Sequence, residues 1–165
     1  MKKTLITISW IWASIIILLL FYKNHPINDF IGKEITWPNN EMKMTNDNRI
    51  LILIQNTKEC SICNMQIYNW YIYNLELQRK KMNCDIVYIL SEKHSLDEET
   101  KRMLSTYGLK YGFSLETFMK TNITLKNNRY NTFLINQQNK IVLIGSPIDN
   151  LELWGLYKKQ LSKSL

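Results

Sequence analysis

Cysteine is scarce in this chain, with three residues at positions 60, 63 and 84, and no second C-x-x-C or H-x-H pair accompanies them. The one four-ligand zinc set that can be written down, Cys60, Cys63, Cys84 and His94, therefore has no paired spacing behind it. Cys84 reads instead as a small core residue and His94 as an exposed residue before a helix. No cysteine precedes Cys60, which excludes a lipid-attachment cysteine near the N-terminus. No stretch interleaves Arg, Lys and aromatics on one face, so the net charge of +7 gives no support to nucleic-acid binding. It describes a basic surface suited to anionic lipid headgroups. Nothing repeats internally. The acidic residues Asp97, Glu98 and Glu99 fit the start of a helix better than a catalytic pair.

The long apolar run lies at the start, where Thr4–Tyr22 gives 19 mostly apolar residues between Lys3 and Lys23. As a helix it would reach roughly 28 Å, close to the hydrocarbon thickness of a bilayer. It passes into Phe21-Tyr22-Lys23-Asn24-His25-Pro26 without a small-x-small cleavage pattern. The pattern predicts an uncleaved signal anchor over residues 1–23, with residues 4–22 in the membrane, rather than a removed signal peptide. Lys2 and Lys3 nearly balance Lys23 and Lys33, but a short basic head before a long body predicts a single pass with the body on the periplasmic, extracytoplasmic side. Thiols there meet an oxidising environment.

Residues 24–48 are polar and broken by Pro26, Gly32 and Pro38, and read as a tether ending in a small extended piece at Ile35-Thr36-Trp37. Residues 49–165 are enough for one domain with its own core. Arg49–Gln55 is an apolar run of strand length. Met65, Tyr68, Ile72 and Leu75 recur at helical spacing and predict a helix from Ser61 to Lys81. Asp85–Leu90 is a second strand. Ser95-Leu96-Asp97-Glu98 predicts a capping box for a helix reaching Tyr107 and stopped by Gly108. A crossover helix between the strands implies that they are parallel. Tyr111–Thr124 gives a short strand or turn followed by a loop. Thr132–Ile135 and Ile141–Ile144 flank a short polar connection and predict an antiparallel hairpin. Asp149 with Glu152 predicts a cap for a last helix carrying Leu151, Trp154, Leu156, Tyr157 and Leu161. Trp70, Trp154 and Tyr157 read as core.

Cys60-Ser61-Ile62-Cys63 stands between the first strand and the first helix. Two thiols three residues apart at a helix start can close a disulfide within one turn, and the positive end of the helix favours thiolate at the first. Lys58 and Glu59 push that thiol in opposite directions. The bland alternative is a static structural disulfide.

The element order β-α-β-α-β-β-α, with C-x-x-C at the first strand–helix junction, resembles the thioredoxin-like fold, a central mixed sheet flanked by helices. It is more closely similar to membrane-anchored TlpA/ResA-like thiol-disulfide proteins, through Thr132-Phe133-Leu134-Ile135-Asn136, Lys140-Ile141-Val142 and Gly145. Gly32-Lys33-Glu34-Ile35, Trp70 and Gly145-Ser146-Pro147-Ile148 resemble a group of small anchored thioredoxin-like proteins of Bacteroidetes. The resemblance implies a thiol-disulfide oxidoreductase in which Cys60 forms the mixed disulfide and Cys63 resolves it, with a thiol protein as electron partner and no metal or organic cofactor. It also places Tyr130 where such proteins carry a substrate-facing cis-proline. A cis bond before a non-proline residue costs about 2.5–4 kcal/mol, so a trans bond is expected there. Two rivals stand beside this reading. Thr57, three residues before Cys60, fits part of a peroxiredoxin motif, but Leu53 occupies its proline position. A non-catalytic anchored interaction module with a structural disulfide would account for the missing proline.

Overall fold

The computed structural model describes residues 30–37, 45–54, 65–91, 96–112, 114–125 and 130–164. Strands β1 (Asn48–Ile54) and β2 (Cys84–Leu90) are apolar on both faces because both faces are covered, and they pair in parallel with Ile52 opposite Tyr88. Between them runs α1 (Ile67–Arg79). Helix α2 (Glu98–Thr106) leads to β3 (Lys110–Gly112), which is parallel to β2, and α3 (Leu115–Thr121) follows. The hairpin of β4 (Thr132–Ile135) and β5 (Ile141–Ile144) forms where the pattern put it, with β4 antiparallel to β1. Helix α4 (Leu151–Leu161) comes last, and the sheet order is β3-β2-β1-β4-β5.

Alternation along the strands separates two cores. Ile50, Ile52, Ile54, Ile86, Tyr88 and Leu90 face α1 and α4, which contribute Ile67, Trp70, Leu77, Trp154, Tyr157 and Leu161. Leu51, Leu53, Ile89, Phe133 and Ile135 face α3, which contributes Leu115 and Phe118, and Leu125 just beyond it. Ile35 is 2% exposed in this second core. Gly32 N donates to the Ile141 carbonyl, Ile141 N to Lys33 and Ile35 N to Asn139, so residues 32–35 run along the β5 edge.

Several expectations are corrected. The observed order is β-α-β-α-β-α-β-β-α, because the stretch read as a short strand or turn and then a loop contains β3 and also α3, whose seven residues bury only Leu115 and Phe118 and so leave no periodic signal. The expected helix start at Ser61 lies outside the described residues; within them α1 begins at Ile67, after Gln66 in the left-handed region at φ 48° with no side-chain cap. Of the apolar stripe assigned to that helix, Tyr68, Ile72 and Leu75 are exposed, and the buried face is Ile67, Trp70, Asn74 and Leu77. On α4, Leu151 and Leu156 are likewise exposed. Asp97 caps α2 by accepting from Thr100 N at 2.7 Å, while Ser95, the first residue of the expected capping box, lies outside the described residues. Asn150, not Asp149, caps α4 through Leu153 N, since Asp149 is itself left-handed at φ 62°. Among the described residues no helix is long and apolar enough to cross a membrane, and the predicted anchor at residues 4–22 lies outside them.

Candidate functional site

The chain leaves β1 at Ile54, and Cys60, Cys63, Lys58, Glu59 and Thr57 lie outside the described residues, as does His94. The described residues frame the end of the sheet at which β1 stops. Ile54 of β1 lies opposite Leu90 of β2. Ser91, buried just beyond β2, donates its hydroxyl to the Glu116 carboxylate in the first turn of α3.

Tyr130 comes to this same end of the sheet. Leu53 N donates to the Asn131 carbonyl at 2.7 Å, and Ile52 lies opposite Thr132, so the chain before β4 passes beside the last residues of β1. Tyr130 is half-buried against the α3-side core.

The returning chain is held from below. Tyr88 is fully buried in β2, and its phenol donates to the Met65 main-chain carbonyl at 2.9 Å. Burial pushes that phenol well above its ordinary pKa, so it remains a protonated donor. Met65 is 1% exposed and precedes the left-handed Gln66, after which Trp70 N donates to the Gln66 carbonyl and α1 begins. Neither Tyr88 nor Gln66 stood out in the sequence. The signal was a single hydroxyl in the otherwise apolar run Ile86–Leu90, since a buried tyrosine O–H needs a partner.

Cys84 belongs elsewhere. It starts β2 opposite Asn48, one strand length of about 20 Å from Leu90. Its thiol is 5% exposed and free, and burial pushes its pKa far upward. The core role read for Cys84 therefore holds. Beside it, Asp85 accepts from Thr45 N and Oγ1, Asn46 N and Nδ2, and the Lys110 ammonium, at distances of 2.8–3.1 Å. Burial raises the Asp85 pKa, but Lys110 and the Thr45 and Asn46 N–H groups outweigh it and leave the carboxyl below its usual range. These groups line a polar cavity of about 350 Å³ with Asn74, Gln78 and Lys81. It lies at the end of the sheet away from Ile54 and Tyr130.

No family model matches the chain, and no curated protein matches it. Among solved structures, a domain of a possible thiol-disulfide isomerase from Cytophaga hutchinsonii is similar at 18% identity and TM-score 0.51, covering 81% of this chain and 96% of that one. The thioredoxin domain of a thiol-disulfide oxidoreductase from Bacteroides vulgatus aligns at 14% identity and TM-score 0.45, covering 81% and 83%. Copper-bound ScoI from Bradyrhizobium japonicum aligns at 9% identity and TM-score 0.48, covering 74% and 87%. With its mixed five-stranded sheet, flanking helices and C-terminal hairpin and helix, the chain has the thioredoxin-like fold.

Proposed function

We propose that this protein is a membrane-anchored thiol-disulfide oxidoreductase that exchanges electrons through Cys60 and Cys63. The observation that carries the reading is the C-x-x-C pair in the segment that joins β1 to α1 of a thioredoxin-like sheet. Cys60 thiolate attacks a partner's disulfide, forms a mixed disulfide and expels one partner thiolate. Cys63 thiolate then attacks the Cys60 sulfur and expels the second, so the pair ends as a disulfide and the partner gains two electrons and two protons. The reverse sequence oxidises a partner dithiol. Tyr130 is the substrate-facing residue, and Thr4–Tyr22 anchors the chain with its domain outside the cytoplasm. No metal or organic cofactor takes part.

Thiol trapping in growing cells tests this: acid quench, alkylation with a large maleimide, and a gel shift of the Cys84→Ala protein with and without prior reductant. A mixture of reduced and oxidised forms that shifts under mild reductant is expected. A fully oxidised pair resistant to mild reductant would make the bond a structural staple and transfer the reading to an interaction module.

A further inference from the structure

We infer that the outward face of α1 and α4 docks on an anionic phospholipid surface. The docking stands apart from the exchange reading and needs neither Cys60 nor Cys63. Among the described residues seven large apolar side chains are exposed, and five of them lie on these two helices: Tyr68, Ile72 and Leu75 on α1, and Leu151 and Leu156 on α4. Single exposed apolar residues are ordinary, whereas a cluster on one face marks a contact surface. Both helices cover the same face of the sheet, and Tyr68, Ile72 and Leu75 recur on the side of α1 turned away from the buried Ile67, Trp70 and Leu77.

Charge decides what covers this face. Toward their C-terminal ends the apolar positions give way to cations, Arg79, Lys80 and Lys81 closing α1 and Lys158, Lys159 and Lys163 closing α4. The helices run the same way, since Tyr73 meets Pro147 and Trp154 while Glu76, further along, meets Trp154 and Lys158. Their basic ends therefore lie side by side. Against these cations the two helices carry two carboxylates, Glu76 and Glu152. Glu76 pairs with Lys80 and Lys158, while Arg79, Lys81, Lys159 and Lys163 are exposed and pair with no carboxylate among the described residues. Exposed aromatic and aliphatic side chains that grade into cations are the pattern of helices lying on a lipid interface. Convex helices meet a fluid layer of headgroups without matching its shape, whereas a folded partner must match at the core of its interface. On the anchor reading above, the seven residues 23–29 span at most about 25 Å, which keeps the domain within reach of the bilayer.

The test places a polarity-sensitive fluorophore on Ile72→Cys, in the full chain carrying Cys60→Ser, Cys63→Ser and Cys84→Ala. The protein is reconstituted in nanodiscs of phosphatidylcholine alone or mixed with phosphatidylglycerol. A second reporter on Ile123→Cys is the control, because Ile123 is 71% exposed just beyond α3, on the other face of the sheet. Emission at position 72 is expected to shift to the blue in the mixed discs only and to return as salt is raised, with position 123 unmoved. Arg79→Gln together with Lys159→Gln, both exposed, should lower the docked-to-free ratio at least about tenfold while melting like the parent. A reporter at 72 that reads the same in both discs, or moves no more than the one at 123, overturns the proposal. So does a shift that appears only with poly-glutamate in solution, which assigns the face to an acidic protein, or one that grows with protein concentration in micelles, which assigns it to a second copy. A chain that enters neither disc fails the anchor reading alone; the same reporters are then read on vesicles of the two compositions, where the same outcomes decide.

Discussion

Trp154 on α4 donates its indole N–H to the Glu76 carboxylate on α1 at 2.6 Å. Lys158 and Lys80 reach the same carboxylate at 2.9 and 3.1 Å. Tyr73 stacks on Trp154 with ring centroids 4.3 Å apart and donates to the Pro147 carbonyl. One acidic side chain thus gathers three donors at the seam between two helices that cover the same face of the sheet.

This seam predicts an acid-dependent loss of stability. The Trp154 N–H first, and then the Lys158 ammonium, lower the Glu76 pKa from 4.5 to about 2. A depressed carboxylate contributes fully above its unfolded value and loses that contribution as pH falls through the folded one. Glu76→Gln is expected to cost about 1 kcal/mol at neutral pH, a few degrees in Tm. In thermal melts across pH, the gap between parent and variant should close between 4.5 and about 2. A gap constant over that range would contradict the assignment.

Asp85 should be far less replaceable. Its carboxylate accepts from the chain leading into β1 and from Lys110 on β3, and it is 6% exposed. Asp85→Ala takes the shared acceptor away from the half-buried Lys110 ammonium and from the Thr45 and Asn46 donors, for about 2–3 kcal/mol. Urea denaturation measures the cost, and limited proteolysis should show new cleavage near Thr45.

The outward stripe on α1 separates two substitutions that a helical wheel of the sequence alone would rank the other way. Ile72→Ala is expected to change stability by no more than about 0.5 kcal/mol, because Ile72 is 44% exposed. Leu77→Ala should cost about 3 kcal/mol. Equal losses in chemical denaturation would argue against this orientation of the helix.

Gly108 ends α2 at φ 65°, and a Cβ there would stand 3.2 Å from Asn74 Nδ2. That amide donates to the Tyr107 carbonyl at 2.8 Å. Gly108→Ala is expected to cost about 1–2 kcal/mol in backbone strain, measured by thermal melting, whereas Thr106→Ala on the exposed side of α2 should cost little.

Cys84 should behave as a buried methyl-sized group with a silent thiol. In the Cys60→Ser, Cys63→Ser protein, a small maleimide is expected to label Cys84 only in denaturant. Rapid labelling of the folded protein would show that the end of β2 opens readily.

Much of the fold was legible because its signals are local. The apolar runs of β1 and β2 and the hairpin around Asn136 and Asn139 follow from the order of residues alone. So do the stop at Gly108 and the acidic start of α2. The parallel pairing of β1 with β2 followed from the crossover helix between them. What stayed illegible depended on partners distant in sequence. Tyr68, Ile72 and Leu75 have the same period as Ile67, Trp70 and Leu77, and only the sheet beneath decides which set is buried. Helix α3 is held by Phe118 against residues from β4, β5 and the 30–37 piece, and it has too few turns to show a period of its own. Tyr88 bonds the Met65 carbonyl across 23 residues, a separation that no local pattern spans. Local propensity and spacing therefore determined the elements and their order. The choice of helix face, the left-handed break before α1 and the buried hydrogen bond beneath it came from the tertiary structure, where a polar group taken out of water must find its partner wherever the chain has brought one.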